Sequence, residues 1–278
     1  MRRTPLLSHA PHTSVMLCRC LKLIFLALVS LPGFAEFMTH MSPETNQAFD
    51  KYEQHVEQQL KQQQADGSCL ALDANKELRD RARSLELVIH SGSGSNGIAV
   101  PGGIIHDWDG AMFITGVKVQ QVLNVLEDFD KHKDRFPEVI ASHTIERNDH
   151  TVRGYWRLRK KKVITVVLDA EQTAKYSEIH PGCWDGRAAT TSVSEIDNAG
   201  TPEERKLPPG DGHGFLWRLN AYWILEQASD GVYAECRTVS LSRNIPFAVS
   251  WVVKPFVESM PRESLVSTLE GIRKAAKE

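Results

Sequence analysis

The chain has no excess of basic residues, with 33 Lys+Arg against 35 Asp+Glu and a formal net charge of −2. That excludes the electrostatic footprint of a nucleic-acid binder, and no nucleic-acid partner is expected. Cysteine is scarce: there are five, and Cys18 and Cys20 precede an apolar run, which leaves Cys69, Cys183 and Cys236. Three cysteines are too few for a disulfide scaffold in a chain of 278 residues. Catalytic signatures are missing as well. G-x-S-x-G and H-E-x-x-H do not occur, and C-x-x-C is absent beyond the first 35 residues. With 41% hydrophobic and 24% charged residues, the composition is that of a globular protein rather than a disordered or collagen-like one.

Residues 1–35 read as a secretory signal peptide. Arg19 and Lys22 lead into an apolar run over 23–31, followed by Pro32, Gly33, Phe34 and Ala35. The run is far shorter than the roughly 18–20 residues that span a bilayer. Met16 would start a signal of ordinary length. Cleavage after Ala35 removes Arg2, Arg3, Arg19 and Lys22 and no acidic residue, so the remaining chain is more acidic still. The protein is therefore expected to be exported, periplasmic or secreted. One disulfide is compatible with that compartment. Cys236 alternates within an apolar strand pattern and reads as a small buried hydrophobe.

Residues 36–84 form an N-terminal helical extension. Ser42-Pro43-Glu44 is a helix start, and Ala48, Tyr52, Val56 and Leu60 make one narrow apolar stripe on a polar helix. The stripe predicts a helix lying on a domain surface. A second short helix is predicted over 73–84 and a strand over 85–90. Gly92-Ser93-Gly94-Ser95-Asn96-Gly97 matches G-x-G-x-x-G, but the residues after it read as strand. A dinucleotide site needs a helix there to meet the pyrophosphate, so the segment is read as a hairpin turn and no cofactor is expected.

Val119, Val122, Leu123 and Leu126 share one helical face. Six strand-like runs follow, over 139–146, 152–159, 163–172, 188–196, 214–227 and 231–243. Pro246, Pro255 and Pro261 punctuate an apolar segment, and a final helix carries Leu265, Leu269, Ile272 and Ala276. An antiparallel sheet with one apolar face must be covered, and that helix is the available cover. A curved sheet around one helix encloses a cavity.

Several segments carry a family resemblance: Gly102-Gly103-Ile104-Ile105-His106-Asp107-Trp108, Val163-Ile164-Thr165-Val166-Val167-Leu168-Asp169, the 214–223 run, Ser240-Leu241-Ser242-Arg243-Asn244-Ile245-Pro246 and Pro261-Arg262-Glu263-Ser264-Leu265. They are similar to a group of exported bacterial proteins that resembles the START-like superfamily of polyketide cyclases and birch-pollen-allergen-like proteins. The resemblance implies an α+β helix-grip fold over residues 85–278, with a curved antiparallel sheet around a long C-terminal helix. Lipid carriers, cyclases and simple hydrophobic-ligand binders all share that fold, so it does not settle an activity.

The candidate ligand-binding residues are Trp156, Val166, Trp217, Arg218, Tyr222, Trp223 and Glu235. By strand period Phe215, Trp217, Leu219, Ala221, Trp223 and Leu225 share the face toward the helix, with Trp156 and Val166 extending that wall. Arg218, Asn220 and Tyr222 share the other face, where Glu235 on the next strand is positioned to pair with Arg218. Metal ligation is not expected, because His106, Asp107 and Asp109 are too close along a strand to converge. The leading expectation is non-enzymatic carriage of a hydrophobic, lipid-like molecule. A cyclase- or hydrolase-like enzyme using His106, Arg218, Tyr222 or Glu235 is the alternative, and a structural envelope protein with a packed interior is a third. Phe247, Trp251 and Phe256 are candidates for a lid or a transient membrane contact, against packed core.

Overall fold

A computed structural model describes residues 38–278 apart from 66, 95, 163, 245 and 246, and for 247–258 it describes the backbone alone. The expected signal peptide and the side chains of Phe247, Trp251 and Phe256 lie outside the described residues. Residues 39–278 form one compact unit.

The elements in chain order are β1 (Thr39–His40), α1 (Pro43–Ala65), a 3-10 turn (Ala71–Ala74), α2 (Lys76–Arg83), β2 (Val88–Ser91), β3 (Ile98–Val100) and β4 (Gly103–Thr115). Then come α3 (Val119–Glu127), a 3-10 turn (Phe129–Lys131), α4 (His132–Arg135), β5 (Val139–Asn148), β6 (Thr151–Lys161), β7 (Thr165–His180) and β8 (Cys183–Asp197). The chain closes with β9 (Arg205–Lys206), β10 (Asp211–Gly212), β11 (Arg218–Ala228), β12 (Gly231–Arg243) and α5 (Phe247–Ala275). The main sheet runs β2-β4-β12-β11-β8-β7-β6-β5, antiparallel throughout, with β3 also on β4 and β9 on β8. This is the α+β helix-grip arrangement.

Strand alternation divides the core in two. Met112, Ile114, Trp223, Leu225, Ala234 and Cys236 face α5, where Leu265, Leu269 and Ile272 meet them. Gly110 permits that approach, since a Cβ there would lie 2.6 Å from Leu269 Cδ1. On the other face, Ile105, Tyr222, Val239 and Leu241 pack against Phe49 and Val56 of α1. Phe113, Ile224 and Tyr233 pack beneath Leu70, Leu72 and Ala82. The N-terminal helices therefore cover the convex face of the sheet. The Ser42 hydroxyl caps α1 by accepting from the Thr45 N–H at 3.2 Å.

Cys69 and Cys183 form a disulfide that ties the segment ahead of the first 3-10 turn to the start of β8, and Cys236 is free and buried.

Three expectations are corrected. The segment 92–97 is not a hairpin turn, because β2 and β3 both pair with β4 and not with each other. No helix follows its glycines. The strands predicted over 163–172 and 188–196 are longer than expected: β7 and β8 take in most of 173–187 around a tight turn at Gly182, which has φ +79°. The buried positions there include Ala174, Gly186 and Ala188, which are small and leave the apolar alternation weak. Finally, α5 continues through Pro255 and Pro261. Each proline removes a helical N–H donor, and the apolar stripe of Leu265, Leu269, Ile272 and Ala276 buried against the sheet offsets that loss.

Candidate functional site

Under residues 260–268 of α5, the concave face leaves a cavity of about 210 Å³. Its wall is mainly apolar: Trp156 and Leu158 from β6, Val166 from β7, Leu219 from β11, Phe215 and Leu216 ahead of β11, and Met260 and Leu265 from α5. These side chains converge because positions two apart on a strand share a face, and the sheet curls around the helix.

Trp156 is held from behind. Its indole N–H donates to His132 Nδ1 at 2.9 Å, and the ring stacks on Phe129 at 5.2 Å between centroids. His132 Nδ1 therefore carries no proton. Its Nε2–H donates to the Val125 carbonyl at 3.0 Å, which fixes a neutral tautomer. Burial pushes the His132 pKa down to about 4 from its ordinary 6.5.

This has a pH consequence. The folded state resists protonating His132, so its contribution is complete above pH 6.5 and is lost as pH falls toward 4. The linkage amounts to about 3 kcal/mol. Glu235, pushed up to about 7, acts in the opposite direction, so the net curve of the wild type does not isolate the effect. The stability gap between wild type and His132→Phe does: urea titrations at a series of pH values should show it narrowing between 6.5 and 4. A gap that stays flat would contradict the neutral assignment.

The polar lining is divided between two walls. At one, Lys160 pairs with Glu138, whose other oxygen accepts from the Ser264 hydroxyl at 3.0 Å. Arg159 stands beside them, exposed to solvent. At the other wall, His106 of β4 lies opposite Ser240 of β12, with Thr238 and Ser242 on the same face of β12. His106 is 1% exposed, and among the described residues neither ring nitrogen has a hydrogen-bond partner. The Ser242 hydroxyl is likewise buried, with no partner among the described residues. Burial pushes the His106 pKa down to about 4, so the ring is neutral at pH 7.

Of the seven candidate residues, Trp156 and Val166 line the cavity. Trp223 faces α5 but sits in packed core outside the cavity. Trp217 is corrected to the convex side, against Phe49 and Val56. The strand period does not reach it, because β11 begins at Arg218. Arg218 does not pair with Glu235. The register sets Arg218 opposite Leu241 and Glu235 opposite Ile224. Arg218 instead donates to Asn46 at 2.9 Å and Glu53 at 3.1 Å, pairs with Asp50, and lies over the Phe49 ring. Glu235 accepts from the backbone N–H groups of Ala71 and Leu72 at 2.9 and 2.7 Å. Tyr222 is buried in the same convex core. The face of Arg218 and Tyr222 is thus covered by α1 and is not a second wall of the cavity.

Sequence reasoning missed the polar floor. A signal for it existed: Thr238, Ser240 and Ser242 place small hydroxyls at every second position, alternating with Val239 and Leu241. Among the described residues, no group of three or more His, Cys, Asp or Glu could hold a metal ion. No described helix is long and apolar enough to cross a membrane.

No protein-family model matches the chain, and no curated protein matches it. Solved structures do resemble it. A STAR-related lipid transfer protein from Xanthomonas axonopodis is 17% identical with a TM-score of 0.45, covering 70% of this chain and 99% of its own. The Zhui aromatase/cyclase from Streptomyces sp. R1128 is 9% identical with a TM-score of 0.41, over 62% of this chain and 94% of its own. A START superfamily protein from Mycobacterium smegmatis is 7% identical with a TM-score of 0.40, over 63% and 97%. The first and third of these solved structures are named as START-related proteins.

Proposed function

We propose that the protein binds a small, mostly apolar molecule between the concave sheet and α5, and that it does so outside the cytoplasm. The carrying observation is the cavity itself: about 210 Å³, with Trp156, Leu158, Val166 and Leu219 along its wall. A dry apolar cavity of roughly 150 Å³ is already large enough to take up benzene. The volume is below the roughly 300 Å³ at which drug-sized pockets begin, so the fitting ligand is small or enters by expanding the site. The Cys69–Cys183 bridge supports the export reading, since disulfides persist in oxidising compartments.

Binding is favoured over catalysis by where the polar residues lie. Arg218, Tyr222 and Glu235 belong to the convex face, which leaves His106 as the one member of that enzymatic set in the cavity. No carboxylate or hydroxyl is hydrogen-bonded to its ring to make it a base or an acid pair.

Toluene, which has no head group, tests the reading. Titrated into the folded, disulfide-bonded protein, it should shift the Trp156 indole N–H signal saturably. Leu219→Trp should fill the space and abolish the shift, at a stability cost of about 1–3 kcal/mol. No shift up to the solubility limit, or an unchanged shift in Leu219→Trp, would instead support a packed structural protein.

A further inference from the structure

We infer that the ligand carries an uncharged oxygen head group, a hydroxyl or a carbonyl, which His106 and Ser242 hydrogen-bond at the β4–β12 wall of the cavity. This rests on the cavity being the ligand site.

The argument begins from atoms left without partners. Buried polar groups in folded proteins are nearly always hydrogen-bonded, and each exception calls for an explanation. His106 is 1% exposed and Ser242 is 3% exposed, both line the cavity, and both ring nitrogens and the Ser242 Oγ have no partner among the described residues. The backbone does not rescue the ring. Gly97 (φ +71°) lies against its Nδ1 edge so closely that a Cβ would come within 3.1 Å of that atom and 2.7 Å of the Ile105 carbonyl.

The chemistry of the unpartnered atoms selects the head group. A neutral imidazole offers one donor and one acceptor, and a serine hydroxyl offers both. A hydroxyl satisfies such a pair in either sense, and a carbonyl accepts from it. An ionised head would have no counter-charge there. A carboxylate would have to bring a proton onto a ring that burial keeps neutral, and an ammonium would lose its hydration with no anion facing it. The charged groups of the cavity do not alter this. Lys160 and Glu138 neutralise each other on the far wall, and Arg159 is in water and needs no ligand. The sheet order separates the two walls: β4 and β12 are neighbours, whereas β6, which carries Arg159 and Lys160, lies beyond β11, β8 and β7. A ligand running between them has its neutral polar end at His106 and its apolar body along Trp156, Val166 and Leu219.

The test compares 1-octanol, octanoate and octylamine at pH 7, followed through the Trp156 indole signal, with toluene as the head-free reference. The expected result is 1-octanol binding about tenfold or more tightly than either ion. Ser242→Ala and His106→Leu should each weaken 1-octanol severalfold while toluene still binds. If His106→Leu does not fold, the ranking in the wild type together with Ser242→Ala decides. Octanoate binding at least as tightly as 1-octanol, with the octanoate affinity lost in Arg159→Gln, would overturn the inference and place the head at the far wall, with the cavity still a ligand site. Toluene and all three octyl probes failing to bind would overturn the inference together with the function it rests on.

Discussion

Replacing Cys69 and Cys183 together by alanine should lower the unfolding free energy by about 4–5 kcal/mol, the largest single effect expected in this chain. The two residues are 114 apart in sequence, and a crosslink closing a loop of that length removes much of the freedom of the unfolded chain. Both are buried, at 5% and 1% exposure, so the bridge is shielded from reductant in the folded state. It also holds the first 3-10 turn over Phe113 and Tyr233, whose burial depends on that cover. Denaturant titration of the oxidised wild type beside the double variant measures the difference. Making both proteins in a Cys236→Ala background keeps the Cys236 thiol from exchanging with the bridge. A loss below about 1 kcal/mol would mean that the bridge adds little to the fold.

Asp107→Ala should cost about 3–5 kcal/mol. Asp107 is fully buried on the convex face and accepts from Arg237 Nη2 at 2.6 Å, Arg237 Nε at 3.0 Å and the Tyr52 hydroxyl at 2.7 Å. Removing it strands a guanidinium beneath α1, with Gln59 at 3.0 Å and Asp109 at 3.8 Å as its remaining partners. The coupled replacement Asp107→Leu with Arg237→Met should recover most of the loss, because an apolar pair of similar size needs no compensation. Tyr52 reports the same contact. Burial, and then its bond to Asp107, push the Tyr52 phenol up to about 12. Spectrophotometric titration of Asp107→Ala should bring it back toward 10. A small loss in the single variant, or no recovery in the pair, would show that the network adds little.

The strands were legible where alternation was undiluted. The run over 231–243 coincides with β12, and the run over 139–146 lies within β5. The C-terminal cover was legible from four apolar residues at helical spacing. What was not legible depends on pairing across strands, and a single strand does not encode register. Arg218 and Glu235 look adjacent only if the β11–β12 hairpin is misaligned; its turn at Ser229–Gly231 sets the partners at Leu241 and Ile224. Trp217 was misplaced because it precedes β11 and so escapes the period that orients Trp223. The cavity's polar end is assembled from β4 and β12, whose segments are more than a hundred residues apart in the chain, and His106 offers no local sign that it faces Ser240.

The most direct measurement is a crystal structure of the protein equilibrated with 1-octanol. The account predicts one molecule in the cavity under residues 260–268, its chain along Trp156, Val166 and Leu219, and its hydroxyl within about 3.2 Å of His106 and Ser242. An empty or side-chain-filled cavity, or a hydroxyl directed to Arg159 instead, would contradict it.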